Sequence, residues 1–174
     1  NDMTRLHTRS KPIKTLDEQP GQLPELKLDH LFRMSDSTGI FQHASFTVPN
    51  FAQGYCTDDN ARALVLALML QKLGHGSPQL GAQAATYAAF LNHAFDRPRG
   101  RFRNFMSFER RWLEEVGSED CHGHALWALG LCVSQAGQGS FQMLAAELFE
   151  LALPVAAGFT SPRAWAFTLI GIDE

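Results

Sequence analysis

Two pairs of adjacent carboxylates stand where helices are predicted to begin. Asp58 and Asp59 follow a loop that contains an aromatic residue, and Glu119 and Asp120 follow a serine. Such carboxylates can act as a general base or bind sugar hydroxyls, and inverting glycosidases place a general base opposite a general acid. We therefore take all four residues as candidate catalytic residues. The alternative is that acids in a first helical turn only stabilise the helix dipole, by about 0.3–1 kcal/mol.

The first pair suits the role of a base or a ligand. A helix N-terminus lowers the pKa of a carboxylate, which disfavours a general acid at Asp58 or Asp59. Arg62 lies within one helical turn of both and could form an ordinary ion pair with either. The same arginine is a candidate for contact with a substrate.

The second pair suits the role of an acid under one condition. The pKa of Glu119 or Asp120 would rise if Trp112 or Trp127 removed water from the carboxyl group, which could then donate a proton. The alternative is a capped helix start, with Ser118 as the cap.

Other candidate substrate-binding residues are aromatic or histidine side chains: Tyr55, Trp112, His43 and His122. Tyr55 and Trp112 lie on loop-like segments and could stack on sugar rings. Trp127 and Trp165 lie inside apolar helices, where core packing is expected. His43, like His30, flanks the turn over residues 35–39 and could either face a ligand or have a structural partner.

The sequence predicts no metal site and no cofactor. Cys56, Cys121, His122 and His124 are the residues that could bind zinc, but they lack close ligand spacings such as Cys-x2-Cys or His-x3-His. No histidine is marked as the partner that would activate either cysteine as a nucleophile.

Periodicity and breaks indicate an all-α fold. Helices are predicted over 26–34, 57–73, 80–95, 118–135, 140–156 and from 161 onward, with a small β-hairpin within 101–113. Residues 1–25 are predicted to be a linker or irregular arm. Residues 26–174 are then a helical-hairpin domain, expected to be incomplete at its C-terminus. The helices predicted over 57–73 and 118–135 are apolar on nearly all sides and are expected to be buried.

Composition excludes several classes of protein. The net charge is −3 and the basic residues form no stripe, which argues against nucleic acid as a partner. No apolar run reaches the roughly 20 residues needed to span a bilayer. Three cysteines make no disulfide framework, so reduced thiols and a cytoplasmic location are expected.

Three segments resemble a known family. They are the stretch over residues 28–44, the motif Gly54-Tyr55-Cys56-Thr57-Asp58-Asp59-Asn60-Ala61-Arg62-Ala63-Leu64, and Ser161-Pro162-Arg163-Ala164-Trp165-Ala166-Phe167. Together they are similar to a bacterial helical domain found C-terminal to group 1 (family 4 type) glycosyltransferases. The resemblance implies a six-hairpin, glycosidase-like (α/α)6 toroid, of which this chain has about half the helices. It also implies a carbohydrate-related role.

Two functions remain open at this point. The first is a carbohydrate-active domain, hydrolase-like or supporting a glycosyltransferase, that binds an oligosaccharide or glycoconjugate at the acidic helix starts. The second is a non-catalytic helical module that positions a partner catalytic domain. In a half ring, one side of the inner helices would be apolar and exposed. We therefore also expect a homodimer or contact with a glycosyltransferase domain.

Overall fold

The structure, a computed structural model, describes residues 24–135 and 139–174 of the chain. These residues form six α-helices and three two-stranded antiparallel sheets, which confirms a mainly helical fold with a small β component. The arm predicted over residues 1–25 lies outside the described residues, except for residues 24 and 25, which have no regular structure.

Each predicted helix is present, with boundaries shifted by a few residues. The helices are α1 (Asp29–Arg33), α2 (Thr57–Lys72), α3 (Pro78–Ala94), α4 (Glu119–Ser134), α5 (Gly139–Ala156) and α6 (Pro162–Asp173). The starts of α3 and α6 follow from a shared signal, in which a serine is followed by proline. The Ser77 hydroxyl accepts a hydrogen bond from the Leu80 N–H at 3.1 Å, and Ser161 does the same for Ala164 at 3.3 Å. Proline is favoured at the first helical position because its missing N–H would have no partner there.

Helix α4 is the centre of the packing. It contacts α2, α5 and α6, while α3 packs on α2. Most of α4 is buried, as its apolar sequence predicts. The same expectation is wrong for α2, whose Leu66 and Met69 are 42% and 39% exposed. Helices α3 and α4 cover only part of the circumference of α2, so one side of it stays open.

Small residues let α4 and α6 approach closely. A side chain at Gly123 would meet the Ala164 carbonyl oxygen at 2.7 Å, and one at Gly130 would collide with the backbone of Gly171. Ala164, Thr168 and Gly171 are the buried residues of α6. This close contact fixes the start of α6 beside the start of α4.

Short strands link the loops that precede the helices. They are β1 (Ala44–Ser45), β2 (Val48–Pro49), β3 (Tyr55–Cys56), β4 (Phe95–Asp96), β5 (Arg101–Phe102) and β6 (Phe105–Met106), paired as β1–β2, β4–β5 and β3–β6. The hairpin predicted within 101–113 is found only in part. The chain does turn back there, with the Leu113 N–H donating to the Phe105 carbonyl at 2.9 Å, but β5 pairs with β4 and β6 with β3. The β3–β6 pair joins the loop before α2 to the segment before α4.

Candidate functional site

The start of α2 is held from outside the helix. Asn104, just before β6, accepts hydrogen bonds from the Thr57 N–H through its backbone oxygen at 2.9 Å and its side-chain oxygen at 3.1 Å. The Thr57 hydroxyl donates to the Arg103 carbonyl at 2.6 Å. The Thr57 hydroxyl therefore serves a tertiary contact and does not cap its own helix. Asn104 satisfies the first helical N–H and sets the position of Asp58.

The start of α4 follows the sequence signal. The Ser118 hydroxyl accepts from the Cys121 N–H at 3.1 Å, which confirms it as the cap. Gly117, before it, lies against the chain between β5 and β6, where a side chain would meet the Phe102 carbonyl oxygen and the Asn104 nitrogen at 2.9 Å. The same short segment therefore carries the starts of both α2 and α4.

These supports bring three ligand-bearing side chains together. Asp58, Asp120 and His124 each offer one atom, and those atoms lie within 4.8 Å of one another. We call these three residues the acidic cluster. Asp59 and Glu119 adjoin the two clustered acids in sequence, so both acid pairs lie at the same end of the helical layer.

The carboxylates of the cluster differ in their partners. Arg163, from the start of α6, places its Nε 3.2 Å from Oδ1 of Asp120. Asp58 Oδ1 is buried and has no hydrogen-bond partner within the described part of the chain. Oδ1 of Asp120 likewise has no hydrogen bond within the described residues, so Asp120 has a cation beside it and Asp58 has none.

His124 is the buried member of the cluster. Its side chain is 2% exposed, and its ring packs on Phe167 with centroids 3.9 Å apart. Nδ1 lies 3.0 Å from the Asp120 carbonyl oxygen and 3.8 Å from Oδ2 of the same residue. Since a carbonyl only accepts, Nδ1 carries the proton and Nε2 keeps the lone pair. Burial lowers the pKa of His124, which favours this neutral form.

The other two acids have structural partners. Asp59 forms an ion pair with Arg62 and accepts a hydrogen bond from the Cys56 thiol at 2.7 Å. Glu119 accepts from the backbone N–H groups of Thr160 at 2.9 Å and Ser161 at 2.7 Å. These bonds hold the pKa of Glu119 below its usual value, so the raised pKa expected for a general acid at this position is wrong.

Two residues predicted to bind substrate are buried instead. Tyr55 is 1% exposed, stacks on Phe41, and donates from its hydroxyl to Asp36 at 2.7 Å. It offers no free face to a sugar. His122 is fully buried, with Nε2 3.0 Å from the Ala152 carbonyl oxygen, and burial lowers its pKa to about 4. Its position one turn into α4 directs it to the core.

The remaining predicted binding residues lie outside the cluster. Trp112 is half-buried and meets Phe90 edge-on at 5.7 Å, with the Arg103 guanidinium 5.9 Å from its ring. His43 is exposed just before β1, in the hairpin that β1 and β2 form. Arg62, which pairs with Asp59, lines a cleft of about 400 Å³ beside α2.

Sequence reasoning missed Trp165. It was expected in the core, but it is 45% exposed and lines a cleft of about 560 Å³ with Phe159, Pro162 and Leu169. The signal was present in α6. The small residues Ala164, Thr168 and Gly171 recur at helical spacing and mark the buried face, so Trp165, one position after Ala164, points away from it.

The zinc ligands considered from sequence are not assembled. Within the described ranges, the acidic cluster is the group of at least three ligand-bearing side chains that the fold gathers, and of the four sequence candidates it includes His124 alone. Burial raises the pKa of the Cys56 and Cys121 thiols, which therefore stay protonated at neutral pH. Neither thiol is activated as a nucleophile.

Comparison with protein-family models, with curated proteins and with solved structures found no match to this chain. In the described part of the chain, no helix combines the length and apolar character needed to cross a bilayer.

Proposed function

We propose that this chain is a carbohydrate-active domain associated with a glycosyltransferase or glycosidase-like activity. The observation that carries the proposal is the meeting of Asp58 and Asp120 at the adjoining starts of α2 and α4. Acids that served only as separate surface ion pairs would have no reason to meet, whereas Asp58 and Asp120 come from different helices and lie together. Paired carboxylate oxygens are suitable acceptors for the hydroxyl groups of a sugar.

The spacing of the pair favours one kind of carbohydrate chemistry over another. The carboxyl groups of inverting glycosidases stand about 6.5–9.5 Å apart to leave room for a water molecule. The clustered oxygens of Asp58 and Asp120 lie within 4.8 Å, which is too close for that arrangement. The pair therefore supports binding of sugar hydroxyls, or the shorter spacing of about 5–5.5 Å that retaining enzymes use.

An exposed aromatic side chain supports the same proposal. Trp165 lies two residues after Arg163, the partner of Asp120, and is 45% exposed beside an open cleft. A tryptophan face combines apolar contact area with an N–H donor, and it suits the face of a sugar ring. Here the indole N–H is already held by the Phe159 carbonyl at 2.8 Å, which fixes the ring in place.

The helix arrangement supports the toroid interpretation. The helices that carry the site, α2, α4 and α6, alternate along the chain with α3 and α5, and α4 packs between α2 and α6. Such alternation, with functional groups at one end, is what half of an (α/α)6 ring would have. A glycan would then lie across the starts of α2, α4 and α6.

The experiment is a calorimetric titration of the chain with a panel of neutral and acidic oligosaccharides, in buffer that contains EDTA. We expect saturable binding of at least one glycan, and weaker binding of that glycan by Trp165→Ala. Replacement of Trp127, which is half-buried against Phe167, by Phe is the control. If no glycan in the panel binds, or if Trp165→Ala and Trp127→Phe bind the glycan equally well, the result counts against the proposal.

A second candidate function is a helical module that positions a catalytic domain. Its support is the apolar outer face of α6, where Trp165, Leu169 and Ile172 are 45%, 58% and 54% exposed at helical spacing. Large exposed apolar patches mark interaction surfaces. Size-exclusion chromatography of the chain mixed with a group 1 glycosyltransferase domain tests it: the wild type should elute with that domain and Leu169→Lys should not. Separate elution of the wild-type chain counts against this function.

A further inference from the structure

We propose that the acidic cluster of Asp58, Asp120 and His124 binds a divalent transition-metal ion, with Mn²⁺ or Zn²⁺ as the fitting chemistry. Two carboxylates and one imidazole form a mixed oxygen and nitrogen donor set, which suits these ions better than Ca²⁺ with its all-oxygen preference. The site goes beyond the glycan proposal and does not depend on it.

The distances among the three ligand-bearing side chains suit a bound ion. A tetrahedral ion with ligands at about 2.1 Å holds its donor atoms about 3.4 Å apart. The three donor atoms already lie within 4.8 Å of one another.

The second step is the state of His124. A metal-binding histidine usually donates its other ring N–H to a carboxylate or backbone carbonyl, which fixes the ring and raises its basicity as a ligand. The Nδ1–H of His124 makes this bond to the Asp120 carbonyl at 3.0 Å. The side chain is 2% exposed, and Nε2, which has no hydrogen-bond partner among the described residues, keeps the lone pair that a metal ion requires.

The third step is the charge on the two acids. Asp58 Oδ1 is buried without a hydrogen-bond partner among the described residues, although a buried charge is costly unless it is paired. Oδ1 of Asp120 also lacks a hydrogen bond, although Arg163 Nε lies 3.2 Å from it, and Oδ2 lies 3.8 Å from Nδ1 of His124. A cation among the three side chains would satisfy Asp58 and would not displace Arg163.

The test is a titration of the chain with Mn²⁺ alone, followed by electron paramagnetic resonance of the free ion. We expect one saturable site per chain. Asp58→Asn and His124→Gln should each weaken binding by more than about tenfold, because each removes a ligand. Asp59→Asn is the matched control, since it removes a neighbouring carboxylate outside the cluster, and its affinity should stay unchanged.

Two results would overturn the site. One is the lack of saturable Mn²⁺ binding by the wild-type chain, and the other is equal weakening by Asp59→Asn and Asp58→Asn. A measurement on the unmodified chain avoids any dependence on variants that fold poorly. Bound Mn²⁺ must broaden the amide resonances of Asp58, Asp120 and His124 first, and broadening centred elsewhere contradicts the proposal. Glycan titrations in EDTA fail or succeed separately from this result.

Discussion

Asp58, in the first turn of α2, and Asp120, in the first turn of α4, bring carboxylate oxygens within 4.8 Å of each other. Two contacts from other parts of the chain bring these carboxylates together. Asn104 holds the start of α2 beside the segment that leads to α4, and Arg163 reaches from α6 to Asp120. Two negative charges so close repel each other unless a cation or a ligand intervenes. The two carboxylates are therefore placed to bind a ligand together, in addition to stabilising the starts of their own helices.

Glu119 should act as a structural clamp between α4 and α6. Its carboxylate binds two backbone N–H groups at the start of α6, so Glu119→Gln should lower the midpoint of urea unfolding at neutral pH. The folded pKa of Glu119 lies below its ordinary value of 4.5. The stabilisation is thus present above that value and is lost as the pH falls through the folded pKa.

Urea unfolding of wild type and Glu119→Gln at neutral and strongly acidic pH measures this effect. The difference between the two proteins should shrink at the acidic pH. Glu115→Gln is the control, because the Glu115 side chain is 78% exposed and only its distal ion pair with Arg99 is lost. A difference that is the same at both pH values would contradict the clamp.

The close packing of α4 on α6 should be intolerant of a single methyl group. Gly130→Ala places a carbon atom against the Gly171 backbone, which cannot move without shifting α6. Overpacking of this kind costs about 1–3 kcal/mol of unfolding free energy. Gly81→Ala in α3 is the matched control, since its nearest neighbour would be 3.7 Å away and the change should stabilise by about 0.4–1 kcal/mol. Chemical denaturation in which both variants behave alike would show that the two helices are not in close contact.

His122 should make the unfolding free energy depend on pH. Burial lowers its folded pKa from 6.5 to about 4, so the unfolded chain takes up the proton first as the pH falls. Stability that is complete above pH 6.5 should then decline by about 3 kcal/mol toward pH 4. Replacement of His122 by Leu should reduce this slope, while His43→Leu on the exposed turn should keep it. A His122 imidazole that titrates near 6.5 in folded protein by NMR would contradict the burial.

The sequence predicted the helices well, because their signals are local. Serine followed by proline marks the starts of α3 and α6, although α3 begins at Pro78 and was predicted from residue 80, and apolar periodicity marks the buried faces. The placement of acids at helix starts followed directly from these boundaries. The sequence alone therefore identifies Asp58 and Asp120 as candidate site residues.

The failures of sequence reasoning have tertiary causes. Tyr55 stands in a loop, yet the pairing of β3 with β6 and the stacking on Phe41 bury it. Glu119 and Asp120 are adjacent in sequence, but α6 supplies N–H groups to one and Arg163 to the other. No local pattern encodes which helix packs against which. Trp165 was misplaced because its helix is apolar on both sides, and only the small-residue stripe shows which side is buried.

We propose that Asp58 and Asp120 form one glycan-binding site, while Asp59 serves only as an ion-pair partner of Arg62. The most direct measurement is calorimetric titration, in EDTA, of the best glycan from the panel into Asp58→Asn, Asp120→Asn and Asp59→Asn. We predict that the first two changes weaken binding at least about tenfold, the effect of losing a hydrogen bond to a charged group, while Asp59→Asn retains affinity. Equal glycan affinity in all three variants, or a loss of affinity confined to Asp59→Asn, would show that Asp58 and Asp120 do not form the glycan site.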